Sequence, residues 1–260
     1  MPKHGQSIAS QLFEPIDDAL EPGKYPLMRA CIFHLLASLM LISGATQAQS
    51  TQAFQATIEP IAADQRARMT GISWKEGCPV SPDDLRVIRM TYLGFDDEIH
   101  TGALVVHARV AQEVADIFEE LFKAGFQIER MQPYEDFAIA EYATHNDTVG
   151  FYCRPAQDDP SELSWHAYGL AVDLNAMTNP FRDPKLGWWP KGSDGERNRS
   201  APGLIGPKSE VIAIFMRHGW AWGGINTNPD FMHFAKITVG NEANPLERPI
   251  WADRLRDAPQ

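Results

Sequence analysis

The chain has 260 residues, of which 44% are hydrophobic and 22% charged, and its formal net charge is −11. This length suits one catalytic domain with appendages better than two full domains, and the composition provides enough apolar residues for a folded core. The negative charge argues against a nucleic-acid partner, because binding through phosphate contacts requires a basic surface.

The first predicted element is a targeting segment. Residues 30–43 form an apolar run that follows a basic residue, and the small residues Thr46 and Ala48 suit a signal-peptidase site. The run is shorter than the roughly 20 residues of a membrane span. We interpret residues 1–48 as an N-terminal extension with a signal peptide, and expect a secreted or periplasmic protein without a stable membrane anchor after cleavage. An uncleaved anchor is the alternative, and Met28 is a second candidate start.

The remainder is predicted to contain one folded domain. We interpret residues 49–72 as a polar connector, 73–240 as the domain and 241–260 as a C-terminal tail. Apolar spacing inside the domain predicts α+β structure with an antiparallel sheet. The predicted elements are strands at 87–93, 103–106 and 126–131, a helix across 108–125, a helix at 208–218, a strand or turn at 220–224 and a final strand at 233–239.

A long segment at 176–206, rich in Pro and Gly, separates these elements. Loops of this length inside a domain are usually functional or disordered, and the paired Trp188 and Trp189 favour an ordered wall of a cleft. Cys78 and Cys153 remain after the signal segment, and no CxxC pair is present. A disulfide in an oxidising compartment and two buried free thiols both remain open for them.

The strongest motif is the decapeptide SWHAYGLAVD at residues 164–173. Imidazole and carboxylate groups are good zinc ligands, and a catalytic zinc takes three protein ligands and one water. His166 and Asp173 are too far apart in sequence for one helical face, but they converge if His166 lies at a turn and Asp173 on the following strand. Taken alone, such a pair is more often a surface histidine and a turn aspartate.

Two further features carry possible chemistry. In the run DFMHFA, His233 is the candidate third ligand, and Asp230 is the candidate general base for a metal-bound water. Arg154 could stabilise an oxyanion or bind a substrate carboxylate, although a surface salt bridge is the common role of an isolated arginine.

Together these features resemble one family. The pattern SxHxxGxAxD, followed by DxxHF and preceded by an arginine just after a cysteine, is similar to the zinc peptidases that act as D-alanyl-D-alanine carboxypeptidases or L-alanyl-D-glutamate endopeptidases. The segments GCPVSPDDLR and GWAWGG also look like landmarks of that family. The resemblance covers roughly residues 74–236.

This resemblance implies a small antiparallel sheet that carries one zinc ion, as in lysostaphin-like peptidases. It implies zinc ligation by His166, Asp173 and His233, with Asp230 as the base and Arg154 as a substrate or transition-state contact. Ser164 would support the site by hydrogen bonding, and Tyr168 would lie near the substrate or the ligands. Many relatives have Glu where this chain has Asp230, and a Trp where it has Met232, which resembles the endopeptidase branch more closely.

The resemblance also implies a substrate, the stem peptide of peptidoglycan. Either the L-Ala–D-Glu bond or the terminal D-Ala–D-Ala bond could be cut, since both need the same metal, base and arginine. We expect a monomer. A non-catalytic zinc-containing module that binds the cell wall is the alternative function.

Overall fold

The computed structural model describes residues 53–137, 143–157 and 159–236. The predicted signal segment, the second candidate start, the C-terminal tail and the end of the predicted final strand lie outside these residues. Within the described ranges, no helix is both long and apolar enough to cross a bilayer.

The described elements form an α+β fold, as the sequence predicts. In chain order they are β1 (Ala56–Pro60), α1 (Ala63–Met69), β2 (Leu85–Leu93), β3 (Ile99–His107), α2 (Ala111–Lys123), β4 (Arg130–Met131), β5 (Asp147–Thr148), β6 (Ala171–Asp173), β7 (Phe181–Asp183), β8 (Gly187–Trp189), α3 (Glu210–Arg217), β9 (Trp220–Trp222) and β10 (His233–Lys236). The strands β1, β2 and β3 form one antiparallel sheet, and β6, β10 and β9 form a second in that order. Short pairs join β4 to β5 and β7 to β8.

The first sheet and α2 provide the packed scaffold. The strands β2 and β3 pair along nine residues each, and α2 presents its apolar residues at helical spacing toward them, among them Val114, Phe118 and Leu121. Gly125 lies in the left-handed region at φ 69°, which ends the helix as predicted. The same core continues beneath the second sheet through Val172 and Phe234, so the scaffold fixes the position of the strands that carry the candidate ligands.

The structure differs from the sequence interpretation in two regions, residues 49–72 and residues 126–131. Residues 49–72 were interpreted as a connector, but β1 pairs with β2 and α1 inserts Met69 fully into the core. Most β1 side chains are exposed, so the strand lacks the apolar alternation that would reveal it. The strand predicted at 126–131 is confined to β4, which pairs in parallel with β5.

A disulfide joins Cys78 to Cys153, with the two Cα atoms 6.0 Å apart. It resolves the alternatives that the sequence left open. The bond connects the loop before β2 to the extended segment that carries Arg154. The amide of Cys153 also donates to the carbonyl oxygen of Ser73, so that segment is attached to the scaffold at two neighbouring points.

Candidate metal centre

His166 is held in a short turn before β6. The turn is a 3-10 helix at Trp165–Tyr168, and the Ser164 side chain accepts a hydrogen bond from the His166 amide. Gly169 then reverses the chain at φ 66°, where a Cβ atom would lie 2.6 Å from the His107 amide nitrogen. Only glycine meets both conditions without strain. The motif SxHxxG therefore encodes a tight turn that brings His166 back beside the strand ending at Asp173.

The other two candidate ligands face each other across two strands. Asp173 on β6 and His233 on β10 are direct cross-strand partners. Side chains of directly opposed residues lie on the same face of an antiparallel sheet. Although the two residues are far apart in sequence, the pairing places both side chains on the face where His166 lies.

The three side chains converge on one point. His166 Nε2 lies 3.1 Å and His233 Nδ1 lies 2.9 Å from Asp173 Oδ1, and the two ring nitrogens are 3.2 Å apart. Two imidazole nitrogens and a carboxylate oxygen form a donor set that suits zinc, with a fourth position left for water. The residues present therefore fit the zinc site that the sequence predicts.

The orientation of the His166 ring is fixed by a hydrogen bond on the side away from the cluster. Its Nδ1 atom lies 2.6 Å from the carbonyl oxygen of Gly150. A carbonyl oxygen only accepts, so Nδ1 donates this hydrogen bond and Nε2 is the nitrogen that faces Asp173 and His233. A backbone oxygen that orients a ligating histidine in this way is a recurring feature of metal sites.

Asp173 is almost completely buried, and burial alone would raise its pKa. The charges of His166 and His233 and their hydrogen bonds outweigh this effect and hold the pKa of Asp173 well below its usual range. The carboxyl group is therefore an anion in the folded protein. A buried carboxylate anion beside two imidazoles is the charge arrangement that a divalent cation requires.

Asp230 lies beside this cluster, three residues before His233. Its amide donates to the carbonyl oxygen of Gly223 at 3.0 Å. A Cβ atom at Gly223 would lie 3.1 Å from the Asp230 Cβ and 3.4 Å from the His233 Cβ. Because Gly223 has no side chain, the turn after β9 packs directly against both residues. The geometry is compatible with a base next to the metal, and that role stays a prediction.

Arg154 lies on the extended segment next to the His166 turn. Its carbonyl oxygen accepts from the Ser164 amide at 3.0 Å, and its guanidinium carbon is 5.8 Å from the centre of the Tyr152 ring. Its Nη1 atom donates to the carbonyl oxygen of Pro155 at 3.1 Å, and its role as a substrate contact stays a prediction. Tyr168 packs its half-buried ring against both main core clusters, and its predicted substrate role stays a prediction.

Sequence reasoning did not identify the residues that support the cluster from outside. They are the Gly150 carbonyl and the contacts of Arg197 with Asn179 and Phe231 described below. Each acts across a long sequence separation, through a backbone atom or a loop. No local motif marks such contacts.

The sequence of residues 157–236 matches the model of a protein family described as D-alanyl-D-alanine carboxypeptidase. The matched part includes all three candidate ligands and Asp230, whereas Arg154 lies just before it. No curated protein and no solved structure matches the chain.

Proposed function

We propose that this protein, whose residues 157–236 match the family model described as D-alanyl-D-alanine carboxypeptidase, is a zinc-dependent hydrolase of peptidoglycan stem peptides. The observation that carries the proposal is the convergence of His166 Nε2, Asp173 Oδ1 and His233 Nδ1 on one point. The proposed substrate is the L-Ala–D-Glu or the D-Ala–D-Ala bond of the stem peptide.

In this mechanism the three ligands would hold one zinc ion. Bound there, the ion would supply Lewis-acid chemistry that acidifies water and polarises the scissile carbonyl. The ionised Asp173 offsets part of the cation's charge, and the Gly150 carbonyl oxygen orients His166 so that Nε2 faces the other two ligands.

The proposed roles of the remaining residues concern the proton and the developing charge. Asp230 accepts a proton as the water oxygen bonds to the carbonyl carbon, and it delivers that proton to the leaving nitrogen as the C–N bond breaks. Arg154 stabilises the oxyanion of the tetrahedral intermediate or binds a carboxylate of the stem peptide. Both roles require that these two groups reach the same substrate.

We also propose that the protein acts outside the cytoplasm, as a secreted or periplasmic monomer. The disulfide between Cys78 and Cys153 supports this location, because such bonds persist in oxidising compartments. The predicted signal segment agrees with it.

The test is digestion of purified muropeptides by the zinc-loaded protein, followed by mass spectrometry. Loss of one terminal alanine identifies a carboxypeptidase, and cleavage between L-Ala and D-Glu identifies an endopeptidase. Asp230→Asn should abolish either product while zinc stays bound, and the exposed Asp116→Asn serves as the control. If the wild type binds zinc but hydrolyses none of these peptides, the enzymatic function is wrong and the alternative, a non-catalytic module that binds the cell wall, is favoured.

A further inference from the structure

Arg197 lies in the long segment between β8 and α3 and contacts Phe231, close in sequence to two of the candidate site residues. Its guanidinium carbon is 4.6 Å from the centre of the Phe231 ring. Phe231 directly follows Asp230 and precedes His233 by two residues. A cation held over an aromatic face is attracted to it, and more strongly when solvent is excluded. Arg197 therefore contacts the short segment that carries both the proposed base and a proposed ligand.

The same guanidinium is fixed by three hydrogen bonds to neutral acceptors. Nη1 donates to Asn179 Oδ1 at 3.0 Å, and Nη2 donates to the carbonyl oxygens of Thr178 at 2.9 Å and Asp194 at 3.3 Å. A planar group with several donors in fixed directions can hold these three points together, which a lysine ammonium cannot do with the same geometry.

Asn179 extends this network to the other ligand strand. Its side chain is fully buried, and Nδ2 donates to the carbonyl oxygen of Leu174 at 3.0 Å and to that of Gly203 at 2.9 Å. Leu174 directly follows Asp173, and its amide donates to the carbonyl oxygen of Met232. Arg197 thus connects the segment 230–233 with the end of β6 through a single buried amide.

Phe231 is confined from its other sides as well. The Trp188 ring stacks on it at 5.7 Å, and Trp222 Nε1 donates to the Phe231 carbonyl oxygen at 2.9 Å. The Phe231 amide donates to the carbonyl oxygen of Pro180. With the ring and backbone held at these points and Arg197 against the ring, a shift of Phe231 would displace its chain neighbours Asp230 and His233.

Partial burial of the Arg197 guanidinium is unfavourable for the stability of the folded protein. Burial lowers the pKa of Arg197 to about 10. In the described part of the chain its buried Nε atom has no hydrogen-bond acceptor. Replacing buried charge with apolar groups of similar volume is often neutral or stabilising. An arginine that is half-buried and incompletely hydrogen-bonded is therefore better explained by what it positions than by the stability it adds.

We infer that Arg197 is a positioning residue that holds Asp230 and His233 in register with Asp173, through Phe231 and Asn179. The inference rests on the proposed zinc-peptidase function for its catalytic consequence. Its structural part, the position of a ligand strand, applies to any metal bound by this cluster.

The test compares Arg197→Met with Arg199→Gln, which changes a nearby exposed arginine that pairs with Asp194. For Arg197→Met we expect the zinc dissociation constant, from chelator competition, to rise about ten-fold, as for other residues that orient metal ligands. At saturating zinc, kcat should fall about ten-fold while KM changes less than about two-fold. Arg199→Gln should change none of these values, and Arg197→Lys should lie between the two.

If Arg197→Met fails to fold, the test uses Arg197→Lys alone. A folded lysine variant with the zinc affinity and kcat of the wild type would overturn the inference. The same values in folded Arg197→Met would also overturn it. Should the wild type show no hydrolysis, the proposed function fails, but the zinc affinities of the variants still confirm or overturn the positioning role.

Discussion

The scaffold and the candidate metal centre are built in opposite ways. The scaffold consists of two nine-residue strands, β2 and β3, covered by the thirteen-residue helix α2. The metal centre is carried by β6 and β10, with three and four residues, and by a 3-10 turn. Regular hydrogen bonding and apolar burial hold the first region, whereas side-chain hydrogen bonds, glycine contacts and a disulfide hold the second.

This difference separates stability from chemistry. The strands that carry Asp173 and His233 are short and form few backbone hydrogen bonds of their own, although Val172 and Phe234 join the same core. These strands depend on the larger sheet behind them. Changes in the metal centre are therefore expected to alter function more than folding, and changes in the scaffold to do the reverse.

The largest expected effect is functional. His233→Ala should reduce hydrolysis by at least about a thousand-fold, the scale seen when a catalytic group is removed from a hydrolase, and should prevent stoichiometric zinc binding. The circular dichroism spectrum should be retained, because the backbone pairing of β10 with β6 and β9 does not use this side chain. Zinc analysis and muropeptide assays measure the change. The exposed His100→Ala is the control, and loss of the folded spectrum in His233→Ala would contradict the separation.

The matching change in the scaffold is Phe118→Ala on α2. Phe118 is fully buried in the main core, so the cavity should lower the free energy of unfolding by about 3–5 kcal/mol. Urea denaturation gives the value, and the exposed Asp116→Ala on the same helix is the control. Zinc affinity of the remaining folded protein should be unchanged. A weakened metal site in that fraction would show that the two regions are not separable.

Removal of the disulfide tests how the scaffold is connected to the segment that carries Arg154. Cys78→Ala combined with Cys153→Ala opens a loop spanning 75 residues and should cost about 2–4 kcal/mol of unfolding free energy. Reducing the wild type should give the same loss, which urea titrations with and without a thiol reductant can compare. If the reductant leaves the wild type unchanged, the bond does not contribute to the stability of the protein in solution.

The smallest effect concerns pH. Burial raises the pKa of Asp147 well above its usual value, so between its unfolded pKa of about 4 and its folded pKa this group binds more protons when folded. Its contribution to stability is therefore present at low pH and decreases as pH rises through that window. Asp147→Asn removes the titrating group but keeps an oxygen able to accept from the Gln132 amide. The variant should gain stability relative to wild type as pH rises, whereas Asp116→Asn should not.

The same contrast explains what could be predicted from sequence. The strand and helix positions in the scaffold follow from apolar periodicity, and the predicted helix at 108–125 contains all of α2. The three candidate ligands are predicted from the turn motif around His166 and from the DxxHF run, which together resemble a known family, and the structure brings them together. Strand β1 was missed because its side chains are mostly exposed.

The supporting contacts could not be predicted because they depend on long-range packing. Arg197 and Phe231 meet only after the segment between β8 and α3 has folded, and Gly150 acts through a carbonyl oxygen that any residue possesses. Composition and spacing carry no signal for either contact. Only the folded backbone shows which loop residue lies against which ligand.

The direct pairing of Asp173 with His233 also has an evolutionary consequence. Because the two candidate ligands are opposed across β6 and β10, the geometry between them does not depend on the length of the chain that connects them. Insertions in the connecting loops can alter substrate contacts while these ligands stay in place, provided that Arg197, Asn179 and Phe231 keep their contacts, whereas a one-residue slip of either strand would turn its ligand to the other face. The fold thus allows new substrate specificity to arise by loop variation around an unchanged metal-binding core.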